Sequence, residues 1–88
     1  MELDALKQEL KVLMIEACEK EVTPEEVEDE APLFGMEGAL QLDSIDALQV
    51  SMALSERYGI EVTDSKKMRA IMVSVQTLAE YVYKERKR

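Results

Sequence analysis

The sequence predicts an all-α fold: a small bundle of three main helices plus one short helix, with a long loop between helices 1 and 2. Three observations carry that expectation. Apolar residues recur in steps of three and four along each proposed helix. Capping residues stand before the later helices, and a glycine closes the second. The short alternating segment Ile60-Glu61-Val62 finds no partner strand elsewhere, so it reads as a linker that buries Ile60 and Val62. With 88 residues, the chain is expected to be a single domain over 1–88, with 83–88 as a basic tail.

Leu3, Leu6, Leu10, Leu13, Met14 and Ala17 mark one stripe of a first helix over roughly residues 2–19. Cys18 reads as a small core or boundary residue at its end. Thr23-Pro24-Glu25-Glu26 combines a capping hydroxyl, a proline at the first helical position and a glutamate three residues after the cap, which predicts a short helical turn. Pro32, Gly35 and Gly38 make residues 29–42 a loop, pinned to the core by Leu33, Phe34, Leu40 and Met36.

The second helix is expected from Ser44 to Tyr58, with Asp43 as its cap and Gly59 as its stop. Thr63 or Asp64 caps a third, short helix ending near Ile71. Ser74 caps the last, whose stripe is Val75, Leu78, Ala79 and Val82.

Composition narrows the function. Hydrophobic residues make up 47% of the chain, enough for a core and too many for a disordered segment. No apolar run is long enough to span a bilayer, and no secretory segment is expected at the start. The net charge of −8 disfavours nucleic acid. Lys84-Glu85-Arg86-Lys87-Arg88 carries +3, leaving −11 on residues 1–83, a charge that suits basic partners or simple solubility. The basic tail offsets a helix dipole, so membrane binding is not expected. One cysteine rules out an internal disulfide and fits a reducing, cytoplasmic setting.

Histidine is absent, which removes Ser-His-Asp and Cys-His catalysis, and clustered cysteines are lacking, so no zinc site is expected. The acidic run from Glu25 to Glu30 lacks the alternating ligands and central glycine of a calcium loop. No glycine-rich phosphate loop and no shielded carboxylate pair occurs. Neither catalytic residues nor a metal site is expected, and an independent enzyme is disfavoured; a carrier, an adaptor or a structural unit remains.

The distinctive stretch is Leu42-Asp43-Ser44-Ile45-Asp46-Ala47-Leu48. Ser44 falls in the first turn of the second helix, where free backbone N–H groups and the positive end of the helix dipole tolerate a phosphate ester. Taken alone, it reads first as a second capping hydroxyl. Ala47, Val50, Leu54 and Tyr58 suffice to bury this helix. At about 100° per residue, Ile45, Leu48 and Met52 form a second apolar line on another face. That line is either further core or an exposed docking patch beside the serine.

Together with Met52-Ala53-Leu54, Glu56-Arg57-Tyr58-Gly59-Ile60-Glu61-Val62, Val75-Gln76-Thr77-Leu78 and Tyr81-Val82, this stretch resembles the acyl carrier proteins over residues 33–83. The resemblance implies that a phosphopantetheinyl transferase joins 4′-phosphopantetheine, taken from coenzyme A, to Ser44. The protein would hold acyl intermediates as thioesters for fatty-acid- or polyketide-type synthesis. Ketosynthases, acyl transferases or acyl ligases would be its partners, and a monomer is expected. Asp43 and Asp46 flank the serine as in the family, while Ile45, Leu48, Met52 and Glu56 match docking positions. A possible acyl pocket would be lined by Val50, Leu54, Ile60 and Ile71.

Some positions depart from the family pattern. Gln49, Ser55 and Arg57 stand where acidic residues are common, and Gln41 where a glycine is. The third helix, usually acidic, reads Ser65-Lys66-Lys67-Met68-Arg69. These changes point to a specialised, freestanding carrier with its own partner enzymes. A peptidyl or aminoacyl carrier, which shares the arm, and an unmodified helical adaptor are the alternatives.

Overall fold

Leu6, Leu10 and Met14 are almost wholly buried, and Leu13 nearly so; together they make the first helix the spine of the bundle. The computed structural model describes residues 2–35, 38, 40–62 and 64–86, except the side chains of residues 2, 65 and 86. Among the described residues four α-helices follow in order: α1 (Glu2–Ala17), α2 (Ser44–Tyr58), α3 (Ser65–Ile71) and α4 (Val75–Arg86), with a 3₁₀ turn at Pro24–Glu26 between the first two. α1 packs against α4 and α2, and the short α3 bridges α2 to α4. The expected all-α bundle is therefore present. No helix among the described residues is long and apolar enough to cross a membrane.

α1 ends two residues before the expected boundary. Glu19 takes a left-handed conformation (φ 55°), and the Lys20 N–H reaches back to the Ile15 carbonyl at 3.0 Å. Such a reversal is usually built on glycine, so a glutamate there gives no warning in the sequence. The expected turn at Pro24 forms, but Thr23 makes no side-chain capping bond.

The 29–42 loop is tied at several points. Leu33, Leu40 and Leu42 are buried and Phe34 is half-buried; Met36 lies outside the described residues. The Leu42 N–H donates to the Leu33 carbonyl at 2.9 Å, closing a single parallel bridge between Phe34 and Leu42. A Cβ at Gly38 would sit 2.7 Å from the Leu33 carbonyl, so only glycine allows that approach. Asp29 anchors the start of the loop. Its carboxylate meets Lys11 at 2.9 Å and Lys7 at 3.5 Å, and its carbonyl accepts from the Gln76 N–H at 2.8 Å.

α2 has the predicted bounds and ends on Gly59 with φ 69°. Beyond it Ile60 is buried and Val62 half-buried. Asp64 caps α3 through the Lys66 N–H at 2.9 Å; Thr63, the other candidate, lies outside the described residues. Ser74 Oγ accepts from the Thr77 N–H at 3.2 Å and opens α4, whose Val75, Leu78, Ala79 and Val82 are fully buried. α4 continues into the expected basic tail as far as Arg86; residues 87 and 88 lie outside the described residues.

Candidate functional site

Asp43 is extended and its carboxylate accepts from the Asp46 N–H at 3.0 Å. Asp46 returns the bond, accepting from the Asp43 N–H at 3.2 Å. This reciprocal box occupies backbone donors that a helix start otherwise leaves unpaired. The Asp43 carboxyl is held below the usual carboxylate range, chiefly by the Asp46 N–H. Asp46 also meets Lys20 at 3.3 Å, and its side chain is only 16% exposed. Of the two aspartates that flank the serine, only Asp43 offers itself freely to solvent.

Ser44, the first residue of α2, is exposed. Its Oγ accepts from Arg69 Nη1 of α3 at 3.3 Å, and the Arg69 guanidinium lies 4.7 Å from the centre of the Phe34 ring. A cleft of about 260 Å³ opens here between α2 and α3, bordered by Ser44, Leu48, Lys66, Met68 and Arg69 among others. Ser51 secures the far wall by donating to the Val62 carbonyl at 3.1 Å.

The second apolar line of α2 faces solvent. Ile45 is 69%, Leu48 61% and Met52 54% exposed, while Ala47, Val50 and Leu54 on the opposite side are buried. Ile45, Leu48 and Met52 thus form an exposed strip that starts beside Ser44. Glu56 is exposed farther along and borders a wider groove of about 530 Å³ between α1 and α2, together with Leu13, Met52 and Arg57.

Val50, Leu54, Ile60 and Ile71 are placed differently from the expected pocket. The first three belong to the core, Ile71 packs against it, and none of the four borders either cavity. A buried apolar residue reads the same in sequence whether it lines a cavity or fills a core. Sequence pattern alone does not place Arg69, Lys66 and Phe34 at the site. The basic run in the third helix was the available signal, but 25 positions separate Arg69 from Ser44 and hid their proximity.

Cys18 stands behind the helix start, with its Sγ 3.7 Å from the Asp46 carbonyl oxygen. Burial, followed by the charge of Asp46, pushes its thiol up to about 11.

A helical bundle that presents one serine on a boxed helix start, beside an apolar strip, has the build of a small carrier domain. A family profile described as "Phosphopantetheine attachment site" matches residues 8–82, and the chain belongs to that family. The family is of the acyl-carrier type and binds covalently attached 4′-phosphopantetheine. Among curated proteins, none matches the chain.

Proposed function

We propose that Ser44 is the residue to which 4′-phosphopantetheine is joined and that the protein carries acyl intermediates for fatty-acid- or polyketide-type synthesis. The observation that carries this reading is the exposed Ser44 hydroxyl on the first residue of α2, at the head of the Ile45–Leu48–Met52 strip. The residues suit the group: the hydroxyl is accessible, cations stand beside it, and the cleft offers room for the beginning of an arm. The Ser44 oxygen attacks the pyrophosphate of coenzyme A in the transferase's active site. A new O–P bond forms, the pyrophosphate P–O bond breaks, adenosine 3′,5′-bisphosphate leaves, and the serine proton passes to the transferase.

When bound, the group supplies a terminal thiol that holds the cargo as a thioester. The chain itself provides the tether and the address, and its partner enzymes provide the catalysis. Tethering raises the cargo's effective concentration at a docked active site. Ile45, Leu48 and Met52 form the apolar centre of the docking face. Lys66 and Arg69 border it on one side, and Asp43 marks its other end. Partners of this carrier therefore present an apolar hollow with acidic groups toward α3, unlike enzymes that expect acid along the whole face.

Coexpression with a broad-specificity phosphopantetheinyl transferase should add the mass of one phosphopantetheine, and Ser44→Ala should abolish the gain. No gain, or a gain that persists in Ser44→Ala, overturns the assignment and returns the chain to the adaptor reading. Loading by an adenylating enzyme with an amino acid, and by no acyl-loading enzyme, would move the cargo to the peptidyl class.

A further inference from the structure

Two cations border the cleft onto which Ser44 opens. Arg69 donates to the serine oxygen at 3.3 Å, and Lys66, three residues earlier on α3, borders the same space. No acidic side chain borders the cleft, and neither cation has an ion-pair partner within 4.0 Å among the described residues. In a chain of net charge −8, two cations without an ion pair in the cleft beside one serine are conspicuous. Phe34, from the 29–42 loop, underlies the guanidinium at 4.7 Å and favours one orientation of its donor fork.

A neutral serine hydroxyl is a poor match for a guanidinium. Once esterified, the same oxygen carries a phosphorus whose two non-bridging oxygens share a negative charge. Those oxygens lie two bonds beyond the Oγ that Arg69 already touches. Charge-assisted bonds to phosphate are shorter and stronger than the bond to a hydroxyl, and arginine can make two of them in parallel.

We propose that Arg69 and Lys66 form a clamp for the phosphodiester of the prosthetic arm, with Phe34 positioning the arginine. The proposal rests on the reading of Ser44 as the attachment residue. The clamp immobilises the phosphate end of the arm against the α2–α3 cleft and leaves the thiol end free to reach a docked enzyme. Because Arg69 and Lys66 are exposed, their hold weakens as salt screens it.

The test uses the modified protein in its wild-type, Arg69→Gln and Lys66→Gln forms, each weighed to establish that the arm is attached. Phosphorus NMR then reads the phosphodiester directly. The expected result is a shifted and broadened wild-type resonance that sharpens and moves in Arg69→Gln, moves less in Lys66→Gln, and approaches the Arg69→Gln position as salt is raised. The same shift and relaxation in all three proteins overturns the clamp. A wild-type resonance indifferent to salt overturns it even if a variant resists modification. Absence of the mass gain in the wild-type protein overturns the Ser44 reading instead, so the two failures are distinguishable.

Discussion

Asp43 and Asp46 hold each other's backbone: each carboxylate accepts the other's N–H, at 3.0 and 3.2 Å, with Ser44 between them. The serine is thus fixed at the mouth of a helix whose first turn has little freedom to fray. Removing one partner should be felt by both the fold and the modification reaction. Asp43→Ala is expected to lower the thermal midpoint and slow phosphopantetheinyl transfer, and Asp43→Asn to do so less, because the amide oxygen can still accept.

The Asp43 cap also has a pH signature. Its carboxyl is held below the usual range in the folded protein. Its contribution is therefore complete above the ordinary carboxylate pKa and is lost as pH falls through the lower folded value. The difference in thermal midpoint between wild type and Asp43→Asn should be largest near neutrality and shrink in acid. Circular dichroism melts across that range measure it.

Lys11 and Asp29 form the closer of the two ion pairs at the start of the long loop. The lysine side chain is 10% exposed, and the carboxylate that meets it at 2.9 Å is 40% exposed. Asp29→Asn removes the charge opposing a nearly buried ammonium. Since the acid is open to solvent, screening reduces the penalty to about 1–2 kcal/mol, below that of a fully buried pair. Urea unfolding of Asp29→Asn should show that loss, and Lys11→Met, which keeps the packing without the charge, should lose less.

Two leucines of α2, six positions apart, should separate binding from folding. Leu54 is fully buried, and Leu54→Ala is expected to cost about 3 kcal/mol through lost packing and a residual cavity. Leu48 is 61% exposed, and Leu48→Ser should change stability by about 0.5 kcal/mol or less. On the docking reading, Leu48→Ser should nonetheless weaken a partner enzyme's binding at least as much as Leu54→Ala does. Equal retention of binding by both variants would count against the strip as the docking face.

Gln41 stands in the left-handed region, with φ 51°, where the family pattern tends to have glycine. A β-branched side chain tolerates that conformation poorly, so Gln41→Val should cost about 1–2 kcal/mol. Gln41→Gly relieves the backbone penalty but gives up the glutamine's own interaction, so it should lose less stability than Gln41→Val. Denaturant midpoints of the two variants, measured together, give the sign.

The bundle was legible in the sequence wherever a local rule was obeyed. Gly59 stops α2, Ser74 opens α4, and the stripe through Val75 and Val82 is buried as its spacing indicates. The second apolar line through Ile45, Leu48 and Met52 was legible as a surplus over one buried face, and packing decides that it is exposed rather than core. What escaped depends on contacts between distant residues or on unusual residues in familiar roles. Glu19 ends α1 in a place usually held by glycine, and Asp46 completes a capping box usually completed by a longer side chain. The Leu33–Leu42 bond, the meeting of Arg69 with Ser44 and the burial of Val50 in the core depend on how separate segments pack. Periodicity carries no information about that.

The raised Cys18 thiol acquires significance in a protein whose proposed cargo rides on sulfur. A thioester migrates to any nearby thiolate that can attack it, and the cargo would then be stranded on a sulfur that partner enzymes do not address. With its thiol pushed up to about 11, Cys18 stays protonated at neutral pH and competes poorly as an acceptor. Alkylation near pH 7 should be slow in the unmodified protein and fast after modification, with the added label on the arm. Cys18 is then a silent neighbour, and its half-buried, protonated thiol leaves the cargo's sulfur chemistry to a single atom.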